Sequence, residues 1–398
     1  MSDPGLPLGF QYAGVATGVK SVAGTDDMAL IFSDREATIA GVYTQNLMAA
    51  APVAFCRGRT PMARGRVVVV NSGNANSCTG QQGTVDAEAM AQAAAQAVGV
   101  EQDQSLVMST GIIGQYLPMQ KIRDGIEKAA GQLAEGEQAF AAASRGILTT
   151  DKGPKTVSLS IPSGDRCLRL AGMAKGAAMI GPNMATMLAV LVTDAALEPD
   201  SAQQALKKAV DASFNSISVE GHTSTNDSVL LIANGAGSDE PLEGDGLADF
   251  EQMLDQACLD LAKMIPDDGE GSTHLVKVEV VGASDNDSAH RVAATVANSN
   301  LVKTGIAGCD PNWGRIISAV GYAGVPLETA KLGLEINGIA LFKNGEPVPF
   351  DEQVASDSIG SAREVHLLLV LGDGAGKACF WTSDLTVDYV IFNSDYHT

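Results

Sequence analysis

Apolar residues fall along this chain in two periods. Short runs at 28–32, 66–70 and 156–161, and again at 275–281, 291–296 and 365–370, are β-like and predict strands. The windows 85–98, 201–212 and 247–264 repeat apolar residues at helical spacing and predict helices, the last with Pro266 as its stop. The mixture predicts an α/β fold, in the form of an α+β layered sandwich. Residues 235–246 and 282–288 lack apolar periodicity and carry turn formers, so they are the linker candidates, each short enough to be a surface loop. No solenoid period, heptad or low-complexity tail is present, so one non-repeating core is expected.

Composition narrows the classes. The chain has 398 residues, 45 % hydrophobic and 18 % charged, enough for one large domain or two closely packed ones. Its 47 acidic and 26 basic residues give a net charge of −21, which repels nucleic acid and anionic membranes. The start, MSDPGLPLGF, lacks a basic and an apolar region, so no signal peptide is read and a cytoplasmic protein is expected. The apolar stretch 185–192 is far shorter than the roughly 20 residues that span a bilayer.

Six cysteines lie far apart with no C-x-x-C pair, which argues against a zinc site or a disulfide framework. There is no H-E-x-x-H and no G-x-S-x-G. GDGAGKA (372–378) does not fit a phosphate loop and predicts a hairpin turn. No metal or bound organic cofactor is implied.

The chemistry gathers at 173–194, MAKGAAMIGPNMATMLAVLVTD. A small, Gly-containing stretch stops at Pro182 and Asn183, and a continuously apolar run then opens after Thr186, which suits a strand covered on both faces. The Thr186 hydroxyl would sit at the mouth of that strand. Thr is a weak nucleophile unless a base takes its proton, and one solution is to free its own backbone nitrogen as that base. Cleavage between Ala185 and Thr186 would do so. On spacing alone, Thr186 reads first as an ordinary β-branched residue opening a strand.

AKGAAMIGPNMATMLAVLVTDA (174–195) resembles the processing segment of the ornithine acetyltransferase, or bifunctional glutamate N-acetyltransferase, family. VVVVNSGNANSCTG (67–80), STGIIGQYLPM (109–119), LTTDKGPK (148–155), FNSISVEGHTSTNDSVLLIANG (214–235), DGEGSTH (268–274), NSNLVKTGIAGCDPNWGRI (298–316) and DYVIFNSDYHT (388–398) resemble it too, in the family's order. The resemblance implies Thr186 as nucleophile, with cleavage giving an α chain 1–185 and a β chain 186–398. It implies Thr110 and Gly111 as the oxyanion hole, chemistry that suits a hydroxyl and an N–H beside a glycine. It implies substrate contacts at Lys175, Glu270, Asn393, Thr398, Thr186 and one of Thr149 and Thr150, which the sequence does not separate.

The implied reaction moves acetyl from N-acetylornithine to glutamate through acetyl-Thr186, with acetyl-coenzyme A as a possible second donor. Two α and two β chains are expected to assemble, with small molecules as the other partners. Departures fall at His274, where the family commonly has Lys, and at His222 in EGHTST (220–225), and both bear on substrate preference. Two other readings remain open at this level: an amidase or aminopeptidase on the same self-cleaving scaffold, and a small-molecule binding protein with an inert Thr186.

Overall fold

The computed structural model describes residues 5–164, 166–181, 187–238 and 240–395. The first part of the chain runs β1 (Phe10–Val15), β2 (Met28–Tyr43), α1 (Ala51–Arg57), β3 (Met62–Asn74), α2 (Gly80–Val98), β4 (Ser105–Ile112), α3 (Met119–Ala130), α4 (Glu137–Gly146), β5 (Lys155–Ser163) and β6 (Arg166–Lys175). It continues through β7 (Leu188–Thr193), α5 (Pro199–Ala212), β8 (Ile217–Ser218), β9 (Ser228–Ala233), α6 (Gly244–Asp267), β10 (Leu275–Ala283), α7 (Asn286–Ala297), α8 (Asn300–Ala307) and α9 (Trp313–Gly321). The last part is β11 (Gly333–Ile336), β12 (Ile339–Lys343), β13 (Glu346–Pro347), α10 (Glu352–Gly360), β14 (Glu364–Val370), β15 (Gly376–Ser383) and α11 (Val387–Asp395).

Among the described residues these strands make two sheets. One has the order β4-β3-β2-β9-β7-β6-β5 with β1 on β2, the other β13-β12-β11-β14-β10-β15-β8. The runs Val67–Val70 of β3 and Leu188–Val192 of β7 are buried on both faces because helices and loops cover the first sheet on each side. Helices α2, α3 and α4 pack with β1 to β4 in one core, while α5 and α6 pack with β6, β7 and β9 in a second. Helix α6 also meets β15 and β8, so it joins the two sheets, and a third core lies under α7, α8 and α9. The two parts of the chain on either side of residue 186 are interleaved: β7 and β9 lie between β2 and β6 in one sheet.

Most expected elements stand, with longer bounds. Three expectations are corrected. Residues 291–296 are helical, not extended, because Asp285 caps α7 by accepting from the Ser288 N–H at 2.7 Å and Ala289, Val292, Ala293 and Val296 form one buried helical stripe. Pro266 lies inside the last turn of α6 rather than beyond it. The 372–378 segment is not a hairpin turn, since β14 and β15 each pair with β10, which lies between them. The linker candidates also shrink, because α6 starts at Gly244 and α7 at Asn286. No described helix is long and apolar enough to cross a membrane.

Candidate active site

Three separate motifs converge on three consecutive residues at the end of β6. Lys175 Nζ donates to Thr110 Oγ1 at 3.0 Å. The Gly176 N–H donates to Asp151 Oδ1 at 2.6 Å, and the Ala177 carbonyl accepts the Glu270 N–H at 3.0 Å. The contact between Lys175 and Thr110 is made although β3, β2, β9 and β7 separate β6 from β4 in the sheet. Asn226, just before β9, draws the far side in by donating to the carbonyls of Ala75 and Ser109 at 2.6 and 2.8 Å.

Lys175 is a wholly buried ammonium, 2 % exposed, and not a solvated surface residue. Burial lowers its pKa, with Asp151 and Asp227 pulling the other way. An ammonium has donors only, so Thr110 Oγ1 is the acceptor in their bond and its own proton is free to point elsewhere. Thr110 is 2 % exposed and lies on the last turn of pleat of β4, with Gly111 following at φ +129°. A Cβ on Gly111 would sit 2.3 Å from the carbonyl carbon of Gly73, so only glycine lets β4 close against β3 there. The strand runs on to Ile112. A hydroxyl and an N–H presented from a rigid strand end are suited to stabilise a tetrahedral oxyanion.

The residue that organises this end of the sheet is one the sequence reading did not single out. Asp151 takes Lys155 Nζ and the Gly176 N–H on Oδ1, both at 2.6 Å, and the Thr149 N–H on Oδ2 at 3.0 Å. Burial alone would raise this carboxyl, but the charges of Lys155 and Lys175 outweigh it and bring it down to about 2. Lys155 also bonds Asp268 at 2.6 Å, which ties β5 to the Gly-rich turn carrying Glu270. Thr149 is thus positioned by Asp151, and Thr150 lies beside it, half-buried.

Glu270 is 8 % exposed rather than part of an open loop, and its Oε2 accepts from Asn393 Nδ2 of α11 at 3.0 Å. The His274 departure is built into a buried pair, with Nδ1 at 2.9 Å from Asp384 Oδ2. Ala185, Thr186 and Thr398 lie outside the described residues. Their neighbours are fixed: Leu188 pairs with Lys175 across β7 and β6, and the Met187 N–H donates to Asp227 Oδ1 at 3.0 Å. Among the described residues no His, Cys, Asp and Glu cluster is placed to hold a metal ion.

A buried lysine that donates to a threonine hydroxyl at a strand end is an arrangement suited to acyl transfer, and an acyltransferase is the class it fits. Comparison with known proteins carries this to a family. Residues 11–398 match the ArgJ family. The chain is 48 % identical to the arginine biosynthesis bifunctional protein ArgJ of Rhodopirellula baltica, covering 99 % of this chain and 96 % of that one. It is 42 % identical to the protein of the same name from Thermosynechococcus vestitus, over 98 % of this chain and 96 % of the other. The crystal structure of the Bacillus halodurans ArgJ matches with 41 % identity and a TM-score of 0.50, covering 51 % of this chain and 96 % of that chain. The protein belongs to the ArgJ family.

Proposed function

We propose that the protein is the glutamate N-acetyltransferase of arginine biosynthesis, which cleaves its own chain before Thr186 and then carries acetyl on that residue. The observation that supports the reading is the contact of Lys175 with Thr110 beside the mouth of β7, because a hydroxyl so oriented, close to the chain that bears Thr186, suits an oxyanion donor. In the first half-reaction Thr186 Oγ attacks the acetyl carbonyl of N-acetylornithine. Its proton passes to the Thr186 amine and then to the leaving amine, and ornithine departs. Glutamate's amine next attacks the ester, forming N-acetylglutamate and returning the proton to Thr186 Oγ. Thr110 and the Gly111 N–H hold the oxyanion in both steps, while Lys175, Thr149, Thr150, Glu270, Asn393 and Thr398 receive substrate. The buried Glu270 carboxylate suits a substrate ammonium.

Interleaving of β7 and β9 with β2 and β6 supports a cleaved pair that stays together, since separation would tear one sheet. A solved relative whose chain is 96 % covered by 51 % of this sequence is itself about half as long, as a processed chain would be. The pair belongs in the cytoplasm, and two pairs assemble. The test is product analysis: with N-acetylornithine and glutamate, ornithine and N-acetylglutamate should appear in equal amounts. Ornithine and free acetate released at the same rate without glutamate would make the protein a hydrolase and overturn the reading.

A further inference from the structure

The chain between Ile180 and Met187 is gripped at both ends by buried carboxyls that the reaction above leaves unused. Glu220 Oε1 accepts the Ile180 N–H at 2.6 Å, and Asp227 Oδ1 accepts the Met187 N–H at 3.0 Å. The first grip is reinforced on the same residue, whose carbonyl receives the N–H groups of Val219, Glu220 and Gly221 and the Ser218 hydroxyl. Immediately after it, a Cβ on Gly181 would lie 2.5 Å from the Gly221 carbonyl carbon, so the two backbones meet as closely as glycine allows. The second grip is continued by β7 on β9, in parallel register from Leu188 with Ser228, and the Ser228 N–H donates to the Met187 carbonyl at 3.3 Å. Both carboxyls come from one short stretch, 218–227.

Neither carboxyl is fully satisfied. Glu220 Oε2 and Asp227 Oδ2 are buried with no well-formed hydrogen bond among the described residues, although the His222 N–H lies near Glu220 and the Ser224 and Thr44 hydroxyls near Asp227. Burial pushes both groups up to about 8, although the Ile180 N–H and Lys303 act against this at Glu220, where Glu270 adds to it, and the Met187 N–H and Lys175 act against it at Asp227. A polar group left half-satisfied in a core costs stability and calls for a reason other than folding.

We propose that Glu220 and Asp227 are positioning residues for self-cleavage, fixing the backbone on either side of the Ala185–Thr186 bond. The inference rests on Thr186 as the self-cleaving nucleophile. In that step Thr186 Oγ bonds to the Ala185 carbonyl carbon, the bond from that carbon to the Thr186 nitrogen breaks, and the hydroxyl proton ends on the freed nitrogen. Water then hydrolyses the ester, leaving an Ala185 carboxyl and a restored hydroxyl. Such an intramolecular attack is fast only when hydroxyl and carbonyl are held together, which is what two fixed ends of a short segment accomplish.

The full chain, synthesised in a short pulse and followed by intact mass, tests this. Asp227→Ala and Glu220→Ala should each slow cleavage by about tenfold or more. Asp227→Asn and Glu220→Gln, which keep an acceptor for the same N–H groups, should recover the rate to within about threefold of the unaltered chain. Alanine variants that cleave at the unaltered rate, or amide variants no faster than alanine, would overturn the clamp. Thr186→Ala separates this from the reading beneath it: if that chain also cleaves, or the unaltered chain never does, the nucleophile assignment itself has failed. Should the alanine variants not fold, hydrogen exchange in the Thr186→Ala chain decides. The Ile180 and Met187 amides should exchange at least about a hundredfold more slowly than in an unfolded chain, and unprotected exchange at either would sink the proposal.

Discussion

Asp151 and Asp227 are both closed off from solvent at the same end of one sheet, yet their surroundings drive them to opposite charge states. Asp151 faces Lys155 and Lys175 and receives backbone N–H groups on both oxygens, and it is ionised down to about pH 2. Asp227 has the Met187 N–H on one oxygen, no well-formed hydrogen bond on the other among the described residues, and one cation, Lys175, shared with Asp151. It keeps its proton to about pH 8. Burial acts the same way on both, and compensation alone separates them. One region is a charged hub that ties Thr149, Lys155 and Gly176 together, and the other is a neutral clasp on the Met187 N–H, next to the proposed cleavage site.

Removing the hub should have the largest effect. Lys155→Ala leaves Asp151 buried beside Lys175 alone, and loss of one partner of a buried pair costs about 3–5 kcal/mol, measurable by urea unfolding. An unchanged midpoint would mean that water replaces the ammonium. Next in size, Thr110→Val removes the hydroxyl proposed as oxyanion donor, with an expected loss of about 10²–10³ in kcat and little change in folding. A full kcat would place the oxyanion elsewhere.

The two carboxylates also separate by pH. Asp151 is held below its ordinary range, so its stabilising contribution is present above pH about 4 and lost as pH falls towards 2. Asp227 is held above its ordinary range, so its contribution is complete below pH about 4 and lost as pH rises to about 8. Lys175 is the charged group that acts on it, with the Ser224 and Thr44 hydroxyls as hydrogen-bonding neighbours. The difference in Tm between Asp227→Asn and the unaltered protein should therefore grow in the variant's favour from pH 5 to pH 8. A constant difference would show Asp227 already ionised in the fold. The smallest effect is expected at Asn393→Ala, which removes one part-buried bond to Glu270, worth about 0.5–1.5 kcal/mol, and should raise KM with only a small fall in Tm.

Much of this was legible in the chain. The apolar run after Thr186 is a strand buried on both faces, and the windows at 85–98 and 201–212 are helices. The run at 291–296 misled because Val292, Thr295 and Val296 are β-branched and suit a strand, while the cap at Asp285 and the stripe from Ala289 to Val296 specify a helix. Lys175 and Glu270 stood in matched motifs, but their burial did not show, because a lysine between small residues and an acidic Gly-rich turn both read as surface. Asp151 and Asp227 were passed over inside the motifs TTD and TND for a similar reason. A lone aspartate among Thr, Asn and Gly reads as a turn former. Its role appears only when distant backbone N–H groups, those of Gly176 and Met187, converge on it.

The central claim is that the chain severs itself before Thr186, and intact mass under denaturing conditions tests it directly on freshly purified protein. Two species matching residues 1–185 and 186–398 are expected from the unaltered chain, and one full-length species from Thr186→Ala. A single mass for all 398 residues in the unaltered chain, together with full transfer activity, would contradict the account.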